Sequence, residues 1–186
     1  MAEQFPELTE RLHRFIDRQH MFFTATAAQG TRVNISPRST DWFRILGPGR
    51  VAYLDRTGSG NETAAHLKAD GRMTIMFCAV DGPPLILRLY GRGHVLHRDS
   101  AGYAEMLADD FAGQEVPLGA RQIVILDVDL VQTSCGYGVP FFEYREERPS
   151  MDNWESKKGP DGLKEWWREE NIFSMDGLPT GIDDPY

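Results

Sequence analysis

The spacing of apolar residues changes along the chain, and the changes mark its elements. Leu8, Leu12, Phe15 and Ile16 recur at helical intervals, with Glu7, Glu10, Arg14 and Asp17 between them. This predicts a helix over residues 6–19 with Pro6 in its first turn. From residue 21 to 27 the period falls to two: Phe22, Thr24 and Thr26 alternate with Phe23 and Ala25, as in a strand. Gln29-Gly30 then reads as a turn, and residues 32–36 as a second strand with Val33 and Ile35 on one face, which makes a hairpin. Pro37, lacking an N–H, is expected to end its ladder pairing.

Gly47-Pro48-Gly49 breaks the pattern before a short strand at 51–55. A glycine loop leads to a short helix over 61–69, with Gly71 just beyond its end. Residues 73–80 form a mostly apolar run that reads as a buried strand holding Cys78 in the core. Residues 85–96 form a long strand in which Gly91 and Gly93 mark a bend or bulge. Ser100 is placed to cap a helix reaching about residue 111, and 122–132 is a final strand with Ile123, Ile125, Val128 and Leu130. The expected fold class is therefore mainly β with peripheral helices. Its six or so mostly antiparallel strands form a small barrel, because the alternation of strands and helices is too irregular for a doubly wound sheet.

From Glu143 the composition shifts. Charges cluster at Glu143, Arg145, Glu146, Glu147 and Arg148, and residues 152–170 read as helical segments interrupted at Gly159-Pro160. Three of the four tryptophans lie here, at 154, 166 and 167. Such a density of aromatic rings calls for packing on the barrel or on a partner subunit. The chain is read as a barrel domain over 1–142 with a helical extension over 143–186. A net charge of −8 and the lack of a basic run argue against nucleic acid as a partner. No leader-like or membrane-spanning apolar stretch is present, so the expected location is cytoplasmic, without a membrane partner. Two cysteines do not suggest a disulfide framework.

The segment richest in chemistry is the turn Thr57-Gly58-Ser59-Gly60-Asn61-Glu62-Thr63, which joins a strand to a helix. Free amides at a helix start attract anions, and Ser59, Asn61 and Thr63 add hydrogen-bonding side chains. The same residues also serve ordinary capping, and Glu62 would repel a phosphate. The turn is neither a Walker motif nor a dinucleotide fingerprint. Arg38 is suited to a phosphate or a flavin edge, or else to an exposed turn. Arg88 and Tyr90 share the face opposite Leu87 and Leu89, toward a ligand or toward solvent. His94 and His97 point to opposite faces of a strand, so no metal site is expected. Cys135 and Tyr137, in a glycine loop, form a possible site loop.

The succession Asn34-Ile35-Ser36-Pro37, Val51 to Asp55, Gly58 to Leu67, Met76-Phe77-Cys78 and Leu87 to Gly93 resembles the pyridoxamine 5'-phosphate oxidase-related FMN-binding family over roughly residues 10–135. That resemblance implies a split β-barrel, a homodimer with FMN at its interface, and flavin-dependent oxidoreductase activity on an unknown small-molecule substrate, with an electron donor such as NAD(P)H. It implies flavin ring contacts from Asn34, Ile35, Ser36 and Arg38, ring and ribityl contacts from Tyr53, Leu54 and Asp55, and phosphate contacts from Asn61, Glu62 and Thr63. The true oxidases carry Ser-Arg-Lys where Asn61-Glu62-Thr63 stands here, so two phosphate-holding cations are absent. Their substrate-phosphate signatures are missing as well. The same fold also holds the deazaflavin F420 or haem, so a non-catalytic binding or storage protein is the alternative.

Overall fold

The computed structural model describes residues 2–183, arranged around one curled sheet of eight antiparallel strands that forms a half-barrel. The strands are β1 (Glu3–Phe5), β2 (Met21–Thr26), β3 (Asn34–Ser39), β4 (Phe43–Gly47), β5 (Arg50–Arg56), β6 (Arg72–Cys78), β7 (Ile86–His97) and β8 (Ala120–Ser134). The helices are α1 (Glu10–Ile16), α2 (Glu62–Ala69), α3 (Ala101–Asp109) and α4 (Ser150–Glu170). The sheet order is β3-β2-β6-β7-β8-β5-β4, and β1 pairs with β8. Two strands, β1 and β4, had no clear sequence signal. β1 has only three residues, and its pairing with β8 is a long-range contact that local patterning does not encode. Because β1 takes Glu3–Phe5, Pro6 lies outside the first helix, which starts at Glu10.

Two apolar cores lie on opposite faces of β5. Val51 and Tyr53 point into the larger one, with Phe22, Ile75, Phe77, Leu87 and Leu89, and α1 adds Leu12, Phe15 and Ile16. Ala52 and Leu54 point into the smaller one, beneath Tyr103 of α3 and beside Phe111, Ile123 and Ile125. Each fully buried large side chain contributes about 2 kcal/mol. Alternation on β6 is one-sided: Met73, Ile75 and Phe77 are buried, whereas Thr74, Met76 and Cys78 are only half-buried. Cys78 is thus not a core residue. Its side of the strand faces a cavity.

Pro37 does not end the pairing of β3. It stands opposite Phe23, and the ladder continues through Arg38 and Ser39. β3 is the last strand of the sheet, so its outer edge asks no N–H of Pro37. The bulge expected near Gly91 is present as a register shift between Tyr90 and Gly91. A Cβ at Gly91 would collide with the Asp127 carbonyl oxygen, so only glycine fits that crossing. Ser100 caps α3 by accepting from the Tyr103 N–H at 3.2 Å. α4 kinks at Gly159, ahead of Pro160. Among the described residues no helix is long and apolar enough to cross a membrane.

Candidate functional site

The end of β5 runs directly into the glycine turn, so the buried polar side chains there decide how the turn is held. Asp55 is fully buried. Its carboxylate accepts from Arg121 Nε at 2.9 Å and from Gln122 Nε2 at 2.7 Å, and it pairs with Arg38. The register makes this possible: Asp55 stands opposite Gln122 on β8. Burial alone would raise the Asp55 pKa, but Arg121 and Arg38 outweigh it and hold the carboxyl below its ordinary range. For Arg38, burial acts downward, and Asp55 and Tyr53 more than offset it, so its pKa is raised. The Arg38 guanidinium lies 4.8 Å from the centre of the Tyr53 ring. Burial pushes the Tyr53 phenol up to about 12.

Arg38, Tyr53 and Arg121 of this cluster line a cavity of about 860 Å³, with Asp55 buried behind them. Its walls come from Ser36, Pro37 and Arg38 of β3, Tyr53 and Leu54 of β5, the turn from Thr57 to Gly60, Glu62, and Cys78 of β6. The outer wall is the segment just beyond the barrel. There Phe142 donates its N–H to the Val80 carbonyl at 2.9 Å, and the Tyr144 ring stacks on His20 at 3.7 Å between centroids. Trp42 and Met151 add apolar surface. A second cavity of about 390 Å³ adjoins the first at Ser59, Gly60 and Glu62, and is lined by Asn34, Ile35, His66 and Asp176 among others.

The extension holds the glycine turn from behind. The Gly58 carbonyl accepts from Trp166 Nε1 at 3.1 Å and from Asn171 Nδ2 at 3.3 Å. Trp167 Nε1 donates to Thr57 Oγ1 at 2.7 Å, and Arg121 donates to Asn171 Oδ1 at 2.7 Å. Arg56 joins Asp152 and Glu155 of α4. Asn171, Arg121 and Asp55 therefore form one buried chain from the tail to the cavity floor.

The sequence-predicted residues separate into three groups. Ser36, Arg38, Tyr53, Leu54 and Glu62 line the larger cavity; Asn34, Ile35 and again Glu62 line the smaller one. Asp55, Asn61 and Thr63 are turned inward. Asn61 accepts from Gln122 Nε2 at 2.7 Å, and Thr63 Oγ1 accepts from Asn34 Nδ2 at 3.2 Å. Arg88, Cys135 and Tyr137 stand apart from both cavities. Arg88 donates to Ser134 Oγ at 3.1 Å, Cys135 is exposed, and Tyr137 projects into solvent. His20, Trp42, Cys78, Arg121, Phe142 and Tyr144 also border the larger cavity and were not singled out from the sequence as site residues. Arg121-Gln122 had one legible signal: a cation and an amide directly ahead of the apolar run from Ile123 to Leu126.

The fit of a flavin differs between the two ends. At the cavity floor Arg38 Nε is buried with no hydrogen-bond partner among the described residues, a donor suited to an electron-rich ring edge. At the glycine turn the Glu62 carboxylate lies over Gly60, where a Cβ would come within 2.6 Å of Glu62 Oε2. An acid therefore stands where a phosphate-binding cation is wanted, and Glu62 Oε1 accepts the Met175 N–H at 3.3 Å. The residues fit a flavin ring and do not fit its phosphate.

Comparison with known proteins agrees with the fold and the order of motifs. The sequence profile described as pyridoxamine 5'-phosphate oxidase matches residues 8–135. The chain is 36% identical over 196 residues to the pyridoxamine 5'-phosphate oxidase family protein ustO of Aspergillus flavus, covering 94% of this chain and 76% of that protein. Among solved structures, a putative pyridoxamine 5'-phosphate oxidase from Lactobacillus delbrueckii superposes with a TM-score of 0.52 at 20% identity, over 68% of this chain and 94% of that one. HupZ from Group A Streptococcus gives 0.53 at 19% identity, over 66% of this chain and 91% of that one. With a profile match across most of the barrel and a 36% identical relative that covers 94% of its length, this chain belongs to the pyridoxamine 5'-phosphate oxidase family.

Proposed function

We propose that the chain binds a flavin, with the ring in the larger cavity, and acts as a flavin-dependent oxidoreductase. The observation that carries this reading is the buried Arg38 guanidinium, fixed by Asp55 and Tyr53, with its Nε unpartnered among the described residues beside a cavity of about 860 Å³. That volume lies in the range of small-molecule and cofactor sites. Family membership supports the same reading.

A bound flavin supplies hydride and electron transfer; the protein supplies position, polarity and access. Arg38 offers a fixed positive charge for the ring's polar edge. Leu54, Trp42 and Cys78 give the ring an apolar lining and exclude water. Tyr144 and Phe142 close the outer side. Because Asp55 neutralises much of its charge, Arg38 orients the ring more than it attracts anions. We assign the binding unit to residues 1–142. The extension from 143 to 186 is a helical buttress that also walls the cavity, and the active form is a homodimer reduced by a donor such as NAD(P)H. Val33 and Ile35, exposed on and beside the edge strand, are the apolar surface for pairing.

The test is an absorption spectrum of the freshly purified protein, then of protein incubated with flavin. Flavin bands that bleach with NAD(P)H and return with an acceptor support the reading. A protein that takes up haem with a Soret band, and no flavin, contradicts it.

A further inference from the structure

The smaller cavity carries its own information. Its titratable groups are Arg32, Glu62, His66 and Asp176. Arg32 and Asp176 are already paired: the Arg32 N–H donates to Asp176 at 2.9 Å, and the guanidinium pairs with the same carboxylate. Among the described residues lining this cavity, that leaves Glu62 as an acid without a neutralising cation.

His66 is 1% exposed, and its Nε2 is buried without a partner among the described residues. Its Nδ1 lies 3.1 Å from Thr26 Oγ1, which also accepts from Asn34 Nδ2 at 3.3 Å. In the tautomer in which the Thr26 hydroxyl donates to His66 Nδ1, the proton of the ring sits on Nε2. Glu62 and His66 are four residues apart on α2, so they share a face. The cavity thus pairs a donor, His66 Nε2–H, with an acceptor, the Glu62 carboxylate.

We infer that this cavity takes the uncharged polyol end of a flavin, so that the chain binds riboflavin in preference to FMN. This rests on the flavin reading above. A hydroxyl accepts from His66 and donates to Glu62 at once. A phosphate dianion accepts from His66 but meets Glu62 as a like charge, and it finds Arg32 already neutralised by Asp176. The two cavities share Ser59, Gly60 and Glu62 in their walls, so a chain reaching from the larger one into the smaller rounds a corner that carries the Glu62 carboxylate.

The test is titration of the full chain with riboflavin and with FMN, followed by quenching of flavin fluorescence at low and high salt. Riboflavin should bind about tenfold more tightly than FMN, as repulsion between a dianion and one carboxylate predicts. Raising salt should strengthen FMN and leave riboflavin unchanged. Glu62→Gln should collapse the preference. Should that variant fail to fold, Asp176→Asn, which frees Arg32, should raise FMN affinity instead. FMN binding as tightly as riboflavin, and weakening with salt, would overturn the inference while leaving the flavin reading intact. Binding of neither flavin would overturn both.

Discussion

Arg121 Nε donates to the Asp55 carboxylate at 2.9 Å, with both side chains almost wholly out of solvent. Around this contact the cavity floor, the glycine turn and the extension are built, because Arg38 shares Asp55 and Asn171 shares Arg121. A buried ion pair contributes little net stability when intact, but losing one partner leaves a stranded charge.

Asp55→Ala should therefore be among the most damaging single changes, since it strands Arg38 and Arg121 together. The expected loss is about 3 kcal/mol or more, read as a lower denaturant midpoint. Asp55→Asn should lose less, because the amide oxygen still accepts.

The same residue sets an acid limit. Its pKa is depressed in the folded chain, so the unfolded chain takes up a proton first as pH falls. The stability Asp55 contributes is complete above the unfolded carboxylate value of about 4 and is lost as pH drops through the lower folded value. Urea midpoints measured from pH 6 downward should fall in that window, and Asp55→Asn should flatten the curve there.

At the alkaline end the sign reverses. Tyr53 has its pKa raised to about 12 from an ordinary 10.0, so the unfolded chain loses that proton first. Its contribution is complete below the unfolded value of 10.0 and is lost as pH rises through the folded value. A phenolate absorbance titration should show the last tyrosine to ionise removed by Tyr53→Phe.

Asn171 offers a separate test of the extension. Asn171→Ala removes one donor from the Gly58 carbonyl and one acceptor from Arg121. It should cost about 1–3 kcal/mol, since a buried charged donor loses one of its two acceptors. It should also weaken flavin binding at the turn. A variant with unchanged flavin affinity would separate the tail from the site.

Sequence patterning revealed what is local. The Gly91 bulge, the Ser100 cap and the kink at Gly159-Pro160 were legible because each is set by residues next to one another. Pro37 was misread because its tolerance depends on β3 being the sheet's last strand, a fact of topology. Cys78 was misread because a run such as Met73 to Cys78 looks buried on both faces, and only the cavity shows that one face is half open. In the candidate site, Arg38 stood out from its own segment and Tyr53 by resemblance. Their coupling through Asp55 to Arg121 and Asn171 joins positions spread from the first hairpin to the tail, which no spacing encodes.

The location of the flavin ring is the central claim, and Cys78 reports on it directly. Cys78 borders the larger cavity, whereas Cys135 is exposed elsewhere. Alkylation of both thiols should be followed by peptide mass spectrometry, with and without saturating riboflavin. Flavin should slow modification of Cys78 and leave Cys135 unchanged. Equal rates at Cys78 with flavin demonstrably bound would place the ring outside this cavity and contradict the account.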